Sequence, residues 1–144
     1  MKTILVLLFT VFLSPTKERL LFIDNEHVRL EIQKPENISI AKSNEISFLF
    51  EPLIGIHVNT NPLFELKLEK NSVFEIIEKV QFQKNENDYL DISKPVKFSF
   101  KAKNGTKTGQ YILKGKLNYF YCSDKDGWCN RFSQPFDVKI EVIP

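Results

Sequence analysis

Short runs in which apolar and polar residues alternate return along almost the whole chain, and this period of two is the feature that most restricts its fold. His27-Val28-Arg29-Leu30-Glu31-Ile32 places Val28, Leu30 and Ile32 on one face of an extended segment. The pattern recurs at Ile46 to Phe50, most cleanly at Phe64 to Glu69, less regularly from Phe74 to Phe82, and again at Val96 to Phe100. A longer run, Gln110 to Tyr121, has room for a bend or bulge at Gly115, and Phe136 to Val142 closes the series. At least seven strands are therefore expected. Between them lie turn-forming clusters: Lys34-Pro35-Glu36-Asn37, Asn59-Thr60-Asn61-Pro62, Lys84 to Asp88 and Asn104-Gly105-Thr106.

No segment carries a credible amphipathic helix. Thirteen phenylalanines, against one methionine and one tryptophan, fall mostly inside the alternating runs, where rings pack well on a pleated surface. A chain of 144 residues, 42% of them hydrophobic, is long enough for one core and too short for two ordinary domains. The expected fold is an all-β, immunoglobulin-like antiparallel β-sandwich, with a closed barrel as the other all-β arrangement. The polar stretch Gln83 to Asp91 is the longest break in the pattern, a loop over one end of the sandwich or an ordinary surface connection.

The first residues differ in character. Lys2 precedes an apolar run from Ile4 to Leu13, followed by Ser14, Pro15 and the charged Lys17-Glu18-Arg19. A signal peptide over about 1–19 is expected, leaving 20–144 as the mature domain in a periplasmic or otherwise exported location. An apolar stretch this short falls well below the roughly 20 residues a spanning helix needs, so no stable membrane span is expected once the leader is removed. The alternative is a buried first strand of a cytosolic domain. Net charge is only +2, with lysines spread opposite glutamates along the strands, so nucleic-acid binding is not indicated.

Chemistry concentrates in the segment Tyr119-Phe120-Tyr121-Cys122-Ser123-Asp124-Lys125-Asp126-Gly127-Trp128-Cys129. An aromatic strand ends at Cys122, Gly127 is able to turn the chain, and Cys129 begins the return. Facing residues of an antiparallel pair have α-carbons roughly 4.5–5.5 Å apart, a separation a disulfide accepts. Such a bond would be either a local strut or an exchangeable redox centre. Lys125 and Arg131 would favour a thiolate, whereas Asp124 and Asp126 oppose it. Zinc held by the two cysteines with His27 and His57 is the weaker alternative, because neither histidine has ligand spacing. No metal and no bound cofactor is expected.

The ordered features Gly55-Ile56-His57-Val58, Pro62-Leu63-Phe64-Glu65-Leu66, Pro95-Val96-Lys97-Phe98 and Gly115 to Cys122 running into Gly127-Trp128-Cys129 resemble the amino-terminal periplasmic domain of the disulfide reductase DsbD and its stand-alone relatives. The resemblance implies an immunoglobulin-like domain, one component of a protein-disulfide reductase, that relays electrons between thioredoxin-like partners through transient mixed disulfides. By position, Cys129 matches the cysteine that forms the intermolecular bond and Cys122 the one that resolves it. Tyr119 and Trp128 match positions flanking the pair. The family's shielding loop falls within Gln83 to Asp91, where Tyr89 supplies the aromatic ring. The competing expectation is an envelope binding or assembly module, in which the disulfide only stiffens the hairpin and Tyr119, Tyr121 and Trp128 are contact residues.

Overall fold

The computed structural model describes the backbone of residues 18–23 and the whole of residues 25–144. The leader expected over 1–19 lies, apart from its last two residues, outside the described residues. Ten strands are present among those described: β1 (Glu18–Ile23), β2 (Val28–Lys34), β3 (Asn37–Ser39), β4 (Asn44–Pro52), β5 (Ile56–Val58), β6 (Glu65–Leu68), β7 (Phe74–Ile76), β8 (Val96–Ala102), β9 (Gly109–Ser123) and β10 (Trp128–Ile143). No helix occurs among the described residues, and hence none among them is long and apolar enough to cross a membrane.

The strands form two sheets, one in the order β1-β2-β4-β8-β7 and the other in the order β3-β10-β9-β5, with β6 also pairing with β9. Both β5 and β6 lie on the same side of β9, β5 against Tyr121–Ser123 and β6 against Gly115–Asn118. Stacked sheets of this kind define an immunoglobulin-like β-sandwich, as the alternation implies. One pairing departs from the antiparallel rule: β3 runs parallel to the end of β10, with Asn37 opposite Glu141. Pro35 stands where the chain leaves the first sheet for the second, between β2 and β3.

Alternation in the sequence becomes alternation in burial. Along β8, Val96, Phe98, Phe100 and Ala102 point inward and are at most 3% exposed. Phe48 and Phe50 of β4 meet the second sheet edge-on, Phe48 against Phe136 at 5.5 Å and Phe50 against Tyr119 at 5.0 Å between ring centroids. Edge-to-face pairs of this type add about 0.5–1.5 kcal/mol to simple area burial.

Two expectations need correction. The run from Phe74 to Phe82 is not one strand: β7 stops at Ile76, and the chain returns to β8 only at Gln81, where Gln81 and Lys97 exchange backbone hydrogen bonds of 3.0 and 2.8 Å. As the edge of its sheet, this segment has one side with no strand to hold it through Glu78-Lys79. Gly115 is not a bulge, because β9 and β10 stay in unbroken register from Trp128 opposite Ser123 to Val142 opposite Gly109. A glycine is needed there for another reason: a β-carbon at 115 would collide with the Lys67 carbonyl oxygen of β6.

The stretch Gln83 to Asp91 is pinned at its tip. Asn85 Oδ1 accepts hydrogen bonds from the backbone N–H groups of Asn87 and Tyr89, at 2.9 and 3.1 Å. Leu90, buried at 2% exposure, donates from its backbone to Val58 of β5 at 2.9 Å. The segment is thereby held against the end of the second sheet that carries the cysteines.

Candidate functional site

The β9–β10 hairpin turns through Asp124 to Gly127. Gly127 has φ of 68°, a left-handed conformation that glycine adopts without steric cost, and its N–H donates to the Ser123 carbonyl at 3.0 Å. Ser123 Oγ accepts from the Asp126 N–H at 3.3 Å and donates to Asp126 Oδ2 at 3.2 Å. This local turn sets the register that brings Cys122 directly opposite Cys129, with α-carbons 4.1 Å apart and the sulfurs joined in a disulfide.

The two halves of the disulfide occupy different surroundings. Cys122 is buried at 5% exposure between β10 and β5, where His57 is its register partner. The Asn59 side-chain amide donates to Cys122 Sγ at 3.3 Å. Cys129 is exposed. A thiolate arriving from solvent therefore meets Cys129 first, and attack there makes Cys122 the leaving group. The Asn59 N–H is in place to stabilise the negative charge that Cys122 would acquire, since a donor to the charged form favours it.

Tyr89 reaches this face through a histidine. Its ring stacks on His57 with centroids 3.6 Å apart and an interplanar angle of 18°. His57 Nδ1 also lies 3.1 Å from Asp124 Oδ1. The ring N–H is not aligned for a hydrogen bond to that oxygen, so the contact is a close polar approach, strongest when the imidazole is charged. His57 thus ties the stretch bearing Tyr89 to the turn that follows Cys122.

Tyr119 and Trp128 stand elsewhere. Tyr119 is fully buried on the core face of β9, opposite the face that carries Cys122, and packs against Phe50, Tyr121 and Phe132. Its hydroxyl accepts from Asn25 Nδ2 at 2.8 Å, fastening the β1–β2 turn to the second sheet. Trp128 is half-buried and packs edge-on against His27 at 4.9 Å and Tyr121 at 5.8 Å, closing the end of the core beneath the hairpin. These two rings support the hairpin from its inner side.

Sequence reasoning named Asn59 only as part of a turn cluster and brought His57 to the cysteines only in the zinc alternative. Both reach Cys122 through the β5–β9 pairing, which no local pattern announces. The one available signal is that Ile56-His57-Val58 alternates, putting the histidine on the polar face. His27 likewise comes to the hairpin, against Trp128. Among the described residues, no group of three or more His, Cys, Asp or Glu side chains is arranged to hold a metal ion.

No family model matches the chain, and no curated protein matches its sequence. Among solved structures, the chain is similar to the crystal structure of the yeast GGA1 GAE domain–P21. The identity is 12% and the TM-score 0.48, over 84% of this chain and 98% of that one. The class defined by the sheets themselves is an all-β, immunoglobulin-like sandwich carrying a disulfide across one hairpin end.

Proposed function

We propose that the chain is an exported thiol–disulfide exchange protein, periplasmic or in a comparable oxidising compartment, that passes electrons between thioredoxin-like partners through Cys122 and Cys129. The observation that carries this reading is the asymmetry of the pair: Cys129 is exposed, whereas Cys122 is 5% exposed and hydrogen-bonded by Asn59. A strut for the sandwich would more naturally join the two sheets, whereas this bond links neighbouring strands at an accessible tip. The resemblance to the DsbD amino-terminal domain at Tyr119 to Cys129 supports the same assignment.

The exchange proceeds in two displacements. In the dithiol form the Cys129 thiolate attacks a partner disulfide, forming a Cys129–partner bond and releasing the partner's other sulfur as a thiolate. Cys122 then attacks Cys129, re-forming the intramolecular disulfide and releasing the second partner thiolate. The partner gains two electrons and two protons, and this chain loses them. Reduction of this chain by a donor dithiol runs the same steps in reverse.

The test is trapping. With a disulfide-form thioredoxin-fold protein, Cys122→Ser should accumulate a mixed disulfide through Cys129, and Cys129→Ser should accumulate little because its remaining thiol is buried. Equal trapping by both variants, or by neither, would contradict the assignment.

A further inference from the structure

The second sheet has an open edge that starts at the exposed sulfur. Among the described residues, β3 covers β10 only at Glu141–Ile143, and no strand pairs with the same edge from Trp128 to Ile140. The direction of the backbone groups along that edge follows from two independent observations. Cys122 and Cys129 have α-carbons 4.1 Å apart, the short spacing of a pair that does not exchange backbone hydrogen bonds, so the N–H and C=O of Cys129 point away from β9. At the far end, the Glu141 N–H donates to the Glu36 carbonyl at 3.1 Å, also away from β9. Strand geometry repeats every two residues, and the register between these points is unbroken. Cys129, Arg131 and Ser133 therefore present their backbone N–H and C=O groups outward, and all three residues are exposed.

The open stretch has a defined end. Pro135 occupies the next outward position and has no N–H to offer, while its carbonyl already accepts from Gln134 Nε2 at 3.1 Å. Proline at such a position blunts an edge against further pairing. What remains is a short pairing-competent segment, Cys129 to Ser133, between the hairpin turn and Pro135.

From this placement we infer that the Cys129–Ser133 edge is the docking site for an extended segment of the partner adjoining its reactive cysteine, which adds as a further strand beside β10. The inference rests on the exchange reading above and supplies its recognition element. A sulfur that reaches Cys129 brings its own backbone past this edge. Alternate residues of an extended chain are spaced to meet the outward groups of Cys129, Arg131 and Ser133. Main-chain pairing of this kind accepts many sequences, as a carrier serving several partners requires. The edge is also competent to pair, since β3 already does so further along it.

The experiment uses Cys122→Ser, whose Cys129 thiol attacks a probe disulfide and releases thionitrobenzoate, read by absorbance. One probe is a short peptide alternating valine and threonine around a single cysteine, carried as its thionitrobenzoate mixed disulfide. The other is the glutathione equivalent, which has no strand to add. Adding Ser133→Pro removes an outward N–H but leaves pairing with β9 intact, as Pro135 already does at an equivalent position. The peptide rate should fall about tenfold, as expected for losing a hydrogen bond and stranding its partner, with the glutathione rate unchanged. As a second measurement on Cys122→Ser alone, attaching the peptide should slow amide hydrogen exchange at Arg131 and Ser133. A Ser133→Pro effect equal for both probes, or absent from both, overturns the inference, as does unchanged exchange at those amides. Failure of Cys122→Ser to react with glutathione at all would instead defeat the exchange reading, and the docking edge with it.

Discussion

A carrier must remain folded in both redox states, and the structure sets how much stability the disulfide can contribute. Reducing it opens a loop with a sequence separation of 7 residues. The chain-entropy relation gives about 2.5 kcal/mol for so short a loop. Most of what holds the hairpin is independent of the sulfurs: β9 and β10 stay in register down to Val142 opposite Gly109, β5 pairs with the Cys122 side, and Trp128 packs on Tyr121 and His27. The reduced protein should therefore fold, with its midpoint lowered by roughly 8–12 °C for a domain of this size. Around the same thermodynamic cycle, 2.5 kcal/mol makes the disulfide about 50 mV harder to reduce in the folded than in the unfolded chain. Urea titrations of the oxidised and reduced protein, followed by far-ultraviolet circular dichroism and by the fluorescence of Trp128, give the difference directly. Unfolding on reduction, or a difference of about 5 kcal/mol or more, would refute the reasoning and make the bond a strut on which the fold depends.

Further outcomes follow from single side chains. Gly115→Ala should destabilise the protein by about 1–3 kcal/mol in urea unfolding, because the added methyl group meets the Lys67 carbonyl, while leaving exchange with glutathione intact. The Glu65 carboxyl is held below its usual range, first by the Asn118 amide that donates to Oε2 at 3.0 Å, and further by Lys67 and the positive charge of Arg131. Because folding lowers this pKa, its stabilising contribution is present above the unfolded carboxylate range and is lost as pH falls through the folded value. Asn118→Ala should move the Glu65 titration upward in carbon-detected NMR, and an unchanged titration would count against the hydrogen bond as the leading cause.

The parts of this molecule that were legible in its sequence are those decided by neighbours along the chain. Inward Val96, Phe98 and Phe100 follow from alternation alone. The register that joins Cys122 to Cys129 follows from a short turn containing Gly127. What was not legible depends on pairing between distant segments. Asn59 and His57 reach Cys122 only because β5 docks on β9, and Gly115 is required by the approach of β6 rather than by a bulge. Tyr119 and Trp128 sit close to the cysteines in sequence, but strand alternation sends their rings to the core side. Nearness along a strand says little about which face a side chain shares. The short strand β3 escaped expectation and β7 fell short of it, because edge pairing needs only a few residues and leaves a faint pattern.

The reduction potential of the Cys122–Cys129 pair, measured by equilibration with glutathione and quantified by mass spectrometry after thiol trapping, tests the central claim most directly. An exchanging centre should fall between about −180 and −270 mV, the span of working thiol carriers. A value below about −300 mV, where inert structural disulfides lie, would contradict it.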